Sequence, residues 1–397
     1  MKCYPNAQLD ASLLPAYVKR IMSRLEARGF EAYIVGGCVR DLFRSVRPHD
    51  WDICSSARPE ELMSVFPRAL PTGIKHGTVT VISGGMRCEV TTFRSDGEYR
   101  DHRRPESVVF LSSLEEDLAR RDFTMNAIAC DIRGQVYDYH GGLSDIRAGL
   151  IRCVGNAAKR FDEDALRILR AYRFSAQLGF RLDSELISAA RKKAPLCAAL
   201  SPERVGAELE KLLLSPAPQI SGELIASGAL ERYFGTVCPD AARLKLLPKR
   251  LEQRLYALCV LAKVSPAETA KELRLQRKTI ADFSRAESIN LPCTGIADWK
   301  RVIARCGDAA AVCLASGRCV LGDAKALKKL RQALECGECC RLSELAFNGS
   351  DAEALGFRGK EVGRLLDMLL DYVIQNPEKN DKETLTDLAK QPTYMLT

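Results

Sequence analysis

The sequence predicts an α+β protein: a mixed α/β domain around a small sheet to about residue 150, then helices to the C-terminus. Three observations carry this. Short β-like runs with helical segments between them recur from Ala32 to Tyr139, strand signals stop from about residue 155, and beyond that point apolar residues fall at helical spacing. A chain of 397 residues calls for about two to four domains, and 46% hydrophobic with 28% charged residues is a globular composition able to build sizeable cores. The expected domains are 1–150, 151–225, 226–335 and 336–397, with proline-containing breaks at Ser215-Pro216-Ala217-Pro218 and near Pro248, Pro266 and Pro292.

Each element follows from local pattern. Leu13, Leu14, Val18, Ile21, Met22 and Leu25 lie at helical spacing before Gly29, which predicts a helix that lids the first domain. The expected strands are Ala32 to Val35, Asp50 to Ile53, Thr78 to Ile82, Arg87 to Phe93, Val108 to Leu111 and Gln135 to Tyr139. Gly84-Gly85 joins the third and fourth as a hairpin. Leu166, Leu169 and Tyr172, then Leu186 and Ile187, then Val205, Leu209, Leu212 and Leu213 mark the later helices.

Composition excludes several classes. No window offers the ~18 apolar residues of a membrane span, and Met1 to Asn6 lacks a signal-peptide pattern, so a cytoplasmic protein is expected. The 16 cysteines are scattered through apolar contexts such as Cys130, Cys259 and Cys313, as small buried hydrophobes are in a reducing compartment. Cys336, Cys339 and Cys340 have CxxC spacing, but no second clean ligand pair accompanies them. All four histidines lie in the first 140 residues, which excludes a histidine-dependent metallohydrolase from the remainder. The net charge of +8 is concentrated between Arg243 and Arg285, where eleven Lys or Arg face four acids. Such a band is the footprint expected of a phosphate-backbone partner, or else a solvated helix face.

The chemistry-bearing stretch is Pro48-His49-Asp50-Trp51-Asp52-Ile53. In an extended run Asp50 and Asp52 point to one face and can grip one hard cation, or two. Gly36 and Gly37 open a short helix after buried Ile34 and Val35, where backbone amides can approach a phosphate. A phosphate beside a carboxylate-bound Mg²⁺ is the picture this suggests. A third carboxylate from a neighbouring strand is best supplied by Glu89, which faces opposite to Cys88 and Val90; the alternative is an exposed edge glutamate.

Five spaced motifs then occur in order: Gly36-Gly37-Cys38-Val39-Arg40-Asp41, Asp50-Trp51-Asp52, Arg120-Arg121-Asp122-Phe123-Thr124-Met125-Asn126-Ala127, Glu163-Asp164-Ala165-Leu166-Arg167 with Arg170 and Arg173, and Ser201-Pro202-Glu203-Arg204 with Glu208. Together they resemble the class II tRNA nucleotidyltransferases, the CCA-adding enzymes, and the related bacterial poly(A) polymerases over roughly residues 30–215. The resemblance implies a seahorse-like chain: a polymerase-β-like catalytic head, then an all-α neck, body and tail. It implies template-independent addition of C, C and A to the tRNA 3′ end from CTP and ATP, with Mg²⁺ as cofactor. Asp50 and Asp52 would hold two ions, with Glu89 supporting the primer side. Gly36, Gly37 and Arg40 belong to the nucleotide site, with Arg121 on the triphosphate and Asp122 on the ribose. Arg120 reads equally as an ion pair with Glu116 or Asp117, and Asn126 equally as a brace for its loop.

Asp164, Arg167 and Arg170 lie three apart, on one face of a predicted helix, with Arg173 continuing the run. Cytosine and adenine each set an amine donor beside a ring-nitrogen acceptor, which suits a carboxylate next to a guanidinium. Asp164 with Arg167 is thus a template made of protein; the alternative is an intrahelical salt bridge. The basic band would hold the tRNA acceptor and TΨC arm, with Lys249, Arg250, Arg274, Arg277 and Lys278 as phosphate contacts. No membrane and no obligate protein partner are implied.

The charged loop Phe93 to Pro105 argues against an enzyme that adds only CC, and Ala165 stands where poly(A) polymerases typically carry proline. Leu345 to Asp351 and Gly359 to Leu366 are similar to the tail of Gram-positive-type CCA-adding enzymes. The competing readings are an A-only-adding enzyme, a poly(A) polymerase, and an RNA-binding protein on an inactive scaffold.

Overall fold

The computed structural model describes residues 7–74, 77–96, 108–110, 113–237 and 239–391. The chain forms two compact units, one of residues 1–212 with 223–232 and the other of residues 213–222 with 233–397.

The first unit opens with α1 (Ala16–Glu26), which turns Val18, Ile21, Met22 and Leu25 into the core. Burying side chains of this size contributes about 1.5–3 kcal/mol each. Gly29, at φ +82°, releases the chain into β1 (Ala32–Val35). There follow α2 (Gly37–Phe43), β2 (Asp52–Ser55), α3 (Pro59–Val65), β3 (Ala69–Gly73), β4 (Thr78–Ser83), β5 (Met86–Thr92), β6 (Arg94–Asp96), β7 (Val108–Phe110), α4 (Leu114–Ala119), β8 (Ile128–Cys130), β9 (Val136–Asp138) and α5 (Gly142–Ala148). Seven of these strands make one sheet, in the order β3-β4-β5-β2-β1-β8-β9. Only β2 and β5 pair parallel; the other neighbours are antiparallel. On one side of this mixed sheet Leu114 and Leu118 of α4 pack with Val35, Cys54, Phe93 and Ala129, and that packing fixes what α4 presents at its end.

Helices dominate thereafter: β10 (Leu150–Ile151), α6 (Ala157–Glu163), α7 (Leu166–Leu178), β11 (Arg181–Leu182), α8 (Ser184–Lys193), α9 (Pro202–Leu213), α10 (Ile220–Ala226) and α11 (Glu231–Phe234). The second unit then carries α12 (Leu251–Ala262), α13 (Pro266–Glu272), α14 (Arg277–Glu287), α15 (Ile296–Leu321), α16 (Ala326–Glu335), α17 (Gly349–Ala354), α18 (Lys360–Gln375) and α19 (Lys382–Ala389). Tyr256 of α12 meets Phe283 of α14 edge to face, and Tyr256 and Val260 press on Gly317 of α15. Nearer the C-terminus Phe347, Leu365, Leu369, Val373 and Leu385 close a separate core. Among the described residues no helix is long and apolar enough to cross a membrane.

The α+β class is as expected; the details differ in several places, among them Arg94–Asp96, expected in a loop, which pairs as β6 with β7. The strand expected from Asp50 begins at Asp52, and His49 and Asp50 form a bend; β1 ends at Val35 and offers no partner on its side to residues before Asp52. β8 was not foreseen: it is central and buried throughout, so it lacks the alternation that reveals a half-exposed strand. β3 was missed as an edge strand carrying Pro71. Strand structure also continues past residue 155, since Arg181 and Leu182 pair parallel with Leu150 and Ile151.

Candidate active site

The parallel pairing of β2 with β5 sets Asp52 directly beside Glu89. Cys88 and Val90 point into the core and Glu89 points out, on an interior strand of the sheet and not at its edge. Both carboxylates line a cavity of about 300 Å³ together with Thr78, Thr91, Arg94, Arg120 and Arg121. Protein crowded around Asp52 pushes its carboxyl pKa up, as do Glu89 and then Asp50, against the pull of Arg121. Its tip nevertheless remains open to solvent. Asp50, in the preceding bend, is exposed.

Among the described residues no group of three or more His, Cys, Asp or Glu gathers to hold a metal unaided. That donor set still fits Mg²⁺, which usually takes one or two carboxylates and completes its shell with water and substrate phosphates. The carboxylate repulsion that adds to burial in raising the Asp52 pKa is the kind a divalent cation relieves. Cys336, Cys339 and Cys340 are free thiols, Cys339 and Cys340 buried, and among the described residues no metal-holding group of three forms around them.

The far wall of the cavity is held by Asp117, a fully buried carboxylate on α4. It accepts from Arg120 Nε and Nη2 at 3.0 and 2.8 Å, from Arg121 Nη2 at 3.1 Å and from the Arg94 amide at 3.3 Å. Burial raises its pKa, but Arg121 and Arg120 outweigh that and hold it below the usual carboxylate range. Asp117, one of the two ion-pair partners open for Arg120 in the sequence, does pair with it. Its role as a clamp on both arginines was missed, although spacings of three and four residues at a helix end are a readable signal. Thr78, Thr91 and Arg94 were missed too; Thr91 shares the face of Glu89 by strand alternation. Gly36, at φ +80°, brings the start of α2 against this wall: a Cβ there would meet Arg121 Nη1 at 3.2 Å.

Next to it Asp122 accepts four hydrogen bonds. Phe123 N at 2.8 Å and Asn126 Nδ2 at 3.1 Å reach Oδ1, while Arg170 Nε and Nη2 reach Oδ2 at 2.8 and 2.6 Å. Burial pushes this carboxyl up, but Arg170 and the other donors bring it down to about 2. Asn126 also accepts from Arg40 Nη1 at 2.7 Å, so it braces its loop between Arg40 and Asp122.

The base-reading run departs from the expected single helical face. Asp164 caps the end of α6 at φ −147°, outside α7, because it turns its carboxylate to Leu166 N at 3.0 Å and to Arg204 Nη2 at 2.7 Å. Arg167 donates instead to Glu163 Oε2 at 2.7 Å, to Arg160 O at 3.4 Å and to Arg120 O at 3.1 Å. The last bond ties this helix to the arginine wall. Arg173 pairs with Glu208 at 2.9 Å and lies 4.0 Å over the Phe174 ring. The structure thus brings Asp52, Glu89 and Arg121 to one cavity and joins Arg40, Asn126, Asp122 and Arg170 in a second chain of contacts.

In the second unit Lys249, Arg250, Arg274, Arg277 and Lys278 all stand at the surface. Arg254, in the same band, does not: it is buried and donates to the carbonyls of Leu213, Ser215 and Leu247. The charged loop expected from Phe93 to Pro105 lies, from residue 97 on, outside the described residues.

Residues 32–152 match the family described as Poly A polymerase head domain, and residues 179–239 match the probable RNA and SrmB-binding site of polymerase A. The chain is 37% identical over 399 residues to the CCA-adding enzyme of Limosilactobacillus fermentum, covering 96% of this chain and 97% of that one. It resembles the crystal structure of the Bacillus stearothermophilus CCA-adding enzyme in complex with CTP, with a TM-score of 0.77 at 35% identity over 94% of this chain and 95% of that one. The Thermotoga maritima CCA-adding enzyme complexed with tRNA shares the fold, with a TM-score of 0.69 at 20% identity over 94% and 93% of the two chains.

Proposed function

The chain belongs to the CCA-adding enzymes, which are tRNA nucleotidyltransferases, and on that footing we propose how its residues divide the addition of C, C and A to tRNA from CTP and ATP. The observation that carries the reading is the pairing of Asp52 with Glu89 in one cavity with Arg120 and Arg121.

Asp50 and Asp52 hold Mg²⁺, and Glu89 supports the primer side. Mg²⁺ held there would supply the positive charge that favours ionisation of the attacking 3′-hydroxyl and departure of pyrophosphate. Arg121 meets the triphosphate with its orientation fixed by Asp117, while Gly36 and Gly37 allow close approach of the backbone. Asp122 accepts a ribose hydroxyl. Its acceptor positions are all used, so the hydroxyl must displace a donor, and Arg170, with a third of its side chain exposed, is the one free to swing. Asp164 and Arg167 read the base edge, each held from behind by Arg204 and Glu163. Arg40, Asn126 and Arg173 keep that frame in place.

Residues 1–150 act as the catalytic head and 151–225 as a base-reading neck, with 226–335 and 336–397 as a body and tail that hold tRNA. The exposed Lys249, Arg250, Arg274, Arg277 and Lys278 support phosphate contacts to the acceptor and TΨC arm. A substrate of this kind places the work in the cytoplasm.

The test offers tRNA ending at the discriminator base, at C and at CC, with CTP and ATP singly and together. All three ends should reach CCA when both nucleotides are present, and Asp52→Ala should abolish growth while tRNA binding survives. Growth with ATP only on the CC end, or near-normal turnover by Asp52→Ala, would overturn the reading.

A further inference from the structure

We propose that the second unit carries a dedicated pocket for one unpaired nucleotide of the bound RNA, formed where three helix starts converge. A cavity of about 680 Å³ is lined from α12 by Arg250, Glu252 and Gln253, and from α14 by Gln276, Lys278 and Thr279. Its third side comes from α15, which breaks at Gly307 (φ +77°, ψ 167°) and restarts with Asp308 and Ala309 at the cavity. Neither α12 nor α14 has a side-chain cap on its first amides. Three positive helix ends therefore face one space, with the exposed Arg250 and Lys278 beside it, which is a phosphate environment.

A second observation points to a base as well. Gln253 is only 8% exposed and lines this cavity, and its buried Oε1 has no hydrogen-bond partner. A buried amide left unsatisfied costs free energy that a ligand donor recovers. Ala309, Val312 and Cys313 give an apolar floor for a ring. Of the three carboxylates in the lining, Asp282 is paired with Arg285 and Asp308 with Arg341 at 2.8 and 2.9 Å, and Glu252 is exposed, where solvent screens it. An amide with an apolar floor and a phosphate subsite is the kit for a splayed-out base, the usual target of base-level RNA recognition.

This inference rests on the tRNA-binding reading above, and the experiment separates the two. The full chain, wild type, Gln253→Met and Val312→Phe, is titrated with tRNA by fluorescence anisotropy at several salt concentrations, with CTP affinity and thermal melting as folding controls. Both variants should weaken tRNA binding about five- to thirty-fold with an unchanged salt slope, because no charge is removed, and CTP affinity should hold. Lys278→Met should instead lower the salt slope by about one. Wild-type tRNA affinity in folded Gln253→Met and Val312→Phe overturns the pocket while leaving the enzyme reading intact. So does binding of AMP at the pocket without any effect of these variants on tRNA. If the wild-type chain binds no tRNA, the underlying reading fails instead.

Discussion

Replacing Arg170 by Met should destabilise the first unit in a way that grows with pH. The guanidinium makes two hydrogen bonds to Asp122 Oδ2, at 2.8 and 2.6 Å, and is the leading influence holding that buried carboxyl at about 2 against the upward push of burial. A depression to about 2 from an unfolded value near 4 corresponds to native-state stabilisation on the order of 2 kcal/mol, with Arg170 its leading source. The sign follows from the depressed pKa: this stability is complete above about pH 4 and is lost as pH falls through about 2. Without Arg170 burial dominates, the carboxyl pKa rises above its unfolded value, and the variant should lose stability between about pH 4 and pH 7. With a urea m-value of about 3 kcal/mol/M the midpoint should fall by about 0.7 M near neutrality. The chain has two tryptophans, Trp51 in the first unit and Trp299 in the second, so a Trp299→Phe background lets Trp51 fluorescence report the first unit alone. Adding Asp122→Asn to Arg170→Met removes the stranded charge and should recover most of the loss. A deficit that is flat with pH, or no recovery in the double variant, would refute the account.

Other perturbations probe other joints of the site. Gly36→Ala forces a side chain onto a residue at φ +80° with Arg121 Nη1 at 3.2 Å, so it should cost about 1–2 kcal/mol and raise KM for CTP; an unchanged melt and KM would show the backbone tolerates it. Asp164→Ala or Arg167→Ala should relax nucleotide choice by about 10- to 100-fold in the CTP to UTP incorporation ratio, and unaltered discrimination would remove both from base reading. Arg254→Met strands the carbonyls of Leu213, Ser215 and Leu247, so it should lower the stability of the second unit by about 2–4 kcal/mol. Because Arg254 is internal, the salt dependence of tRNA binding should keep its slope; a shallower slope would return it to the phosphate contacts.

Where sequence reading succeeded, the signal was local. Alternation around Glu89 was enough to turn it away from Cys88 and Val90, and Gly36 marked the turn into α2, where φ is +80°. What stayed hidden depends on partners distant in the chain. Asp164 lies three residues before Arg167 and so looks like its helical neighbour, yet Arg204, forty residues on, draws it out as a cap. The parallel pairing of Asp52 with Glu89 is likewise a fact of sheet order, invisible in either strand alone. Arg254 shows the converse error: a cation counted in a basic band can be spent on interior carbonyls, and only burial tells the two apart.

Five arginines of the first unit, two of them in the cavity wall, share one design. Arg120 and Arg121 are held by Asp117, Arg167 by Glu163, Arg170 by Asp122 and Arg173 by Glu208, each through a short internal pair. A free arginine loses about 2 kcal/mol of rotamer freedom when it is fixed on a ligand. Here folding has already taken that loss, which leaves more of the interaction energy for discrimination. The requirement is sharpest for Arg167, whose bond to the Arg120 carbonyl ties the residue proposed to read the base to the arginine wall of the cavity. A protein that chooses between CTP and UTP by hydrogen-bond order alone needs its donors and acceptors immobile, since a side chain free to rotate would satisfy either base. On the proposed division of roles, rigid pairing behind the site is therefore a condition for selecting nucleotides without a nucleic-acid template, and Arg170, with a third of its side chain exposed, is the member that would move were a ribose to claim Asp122.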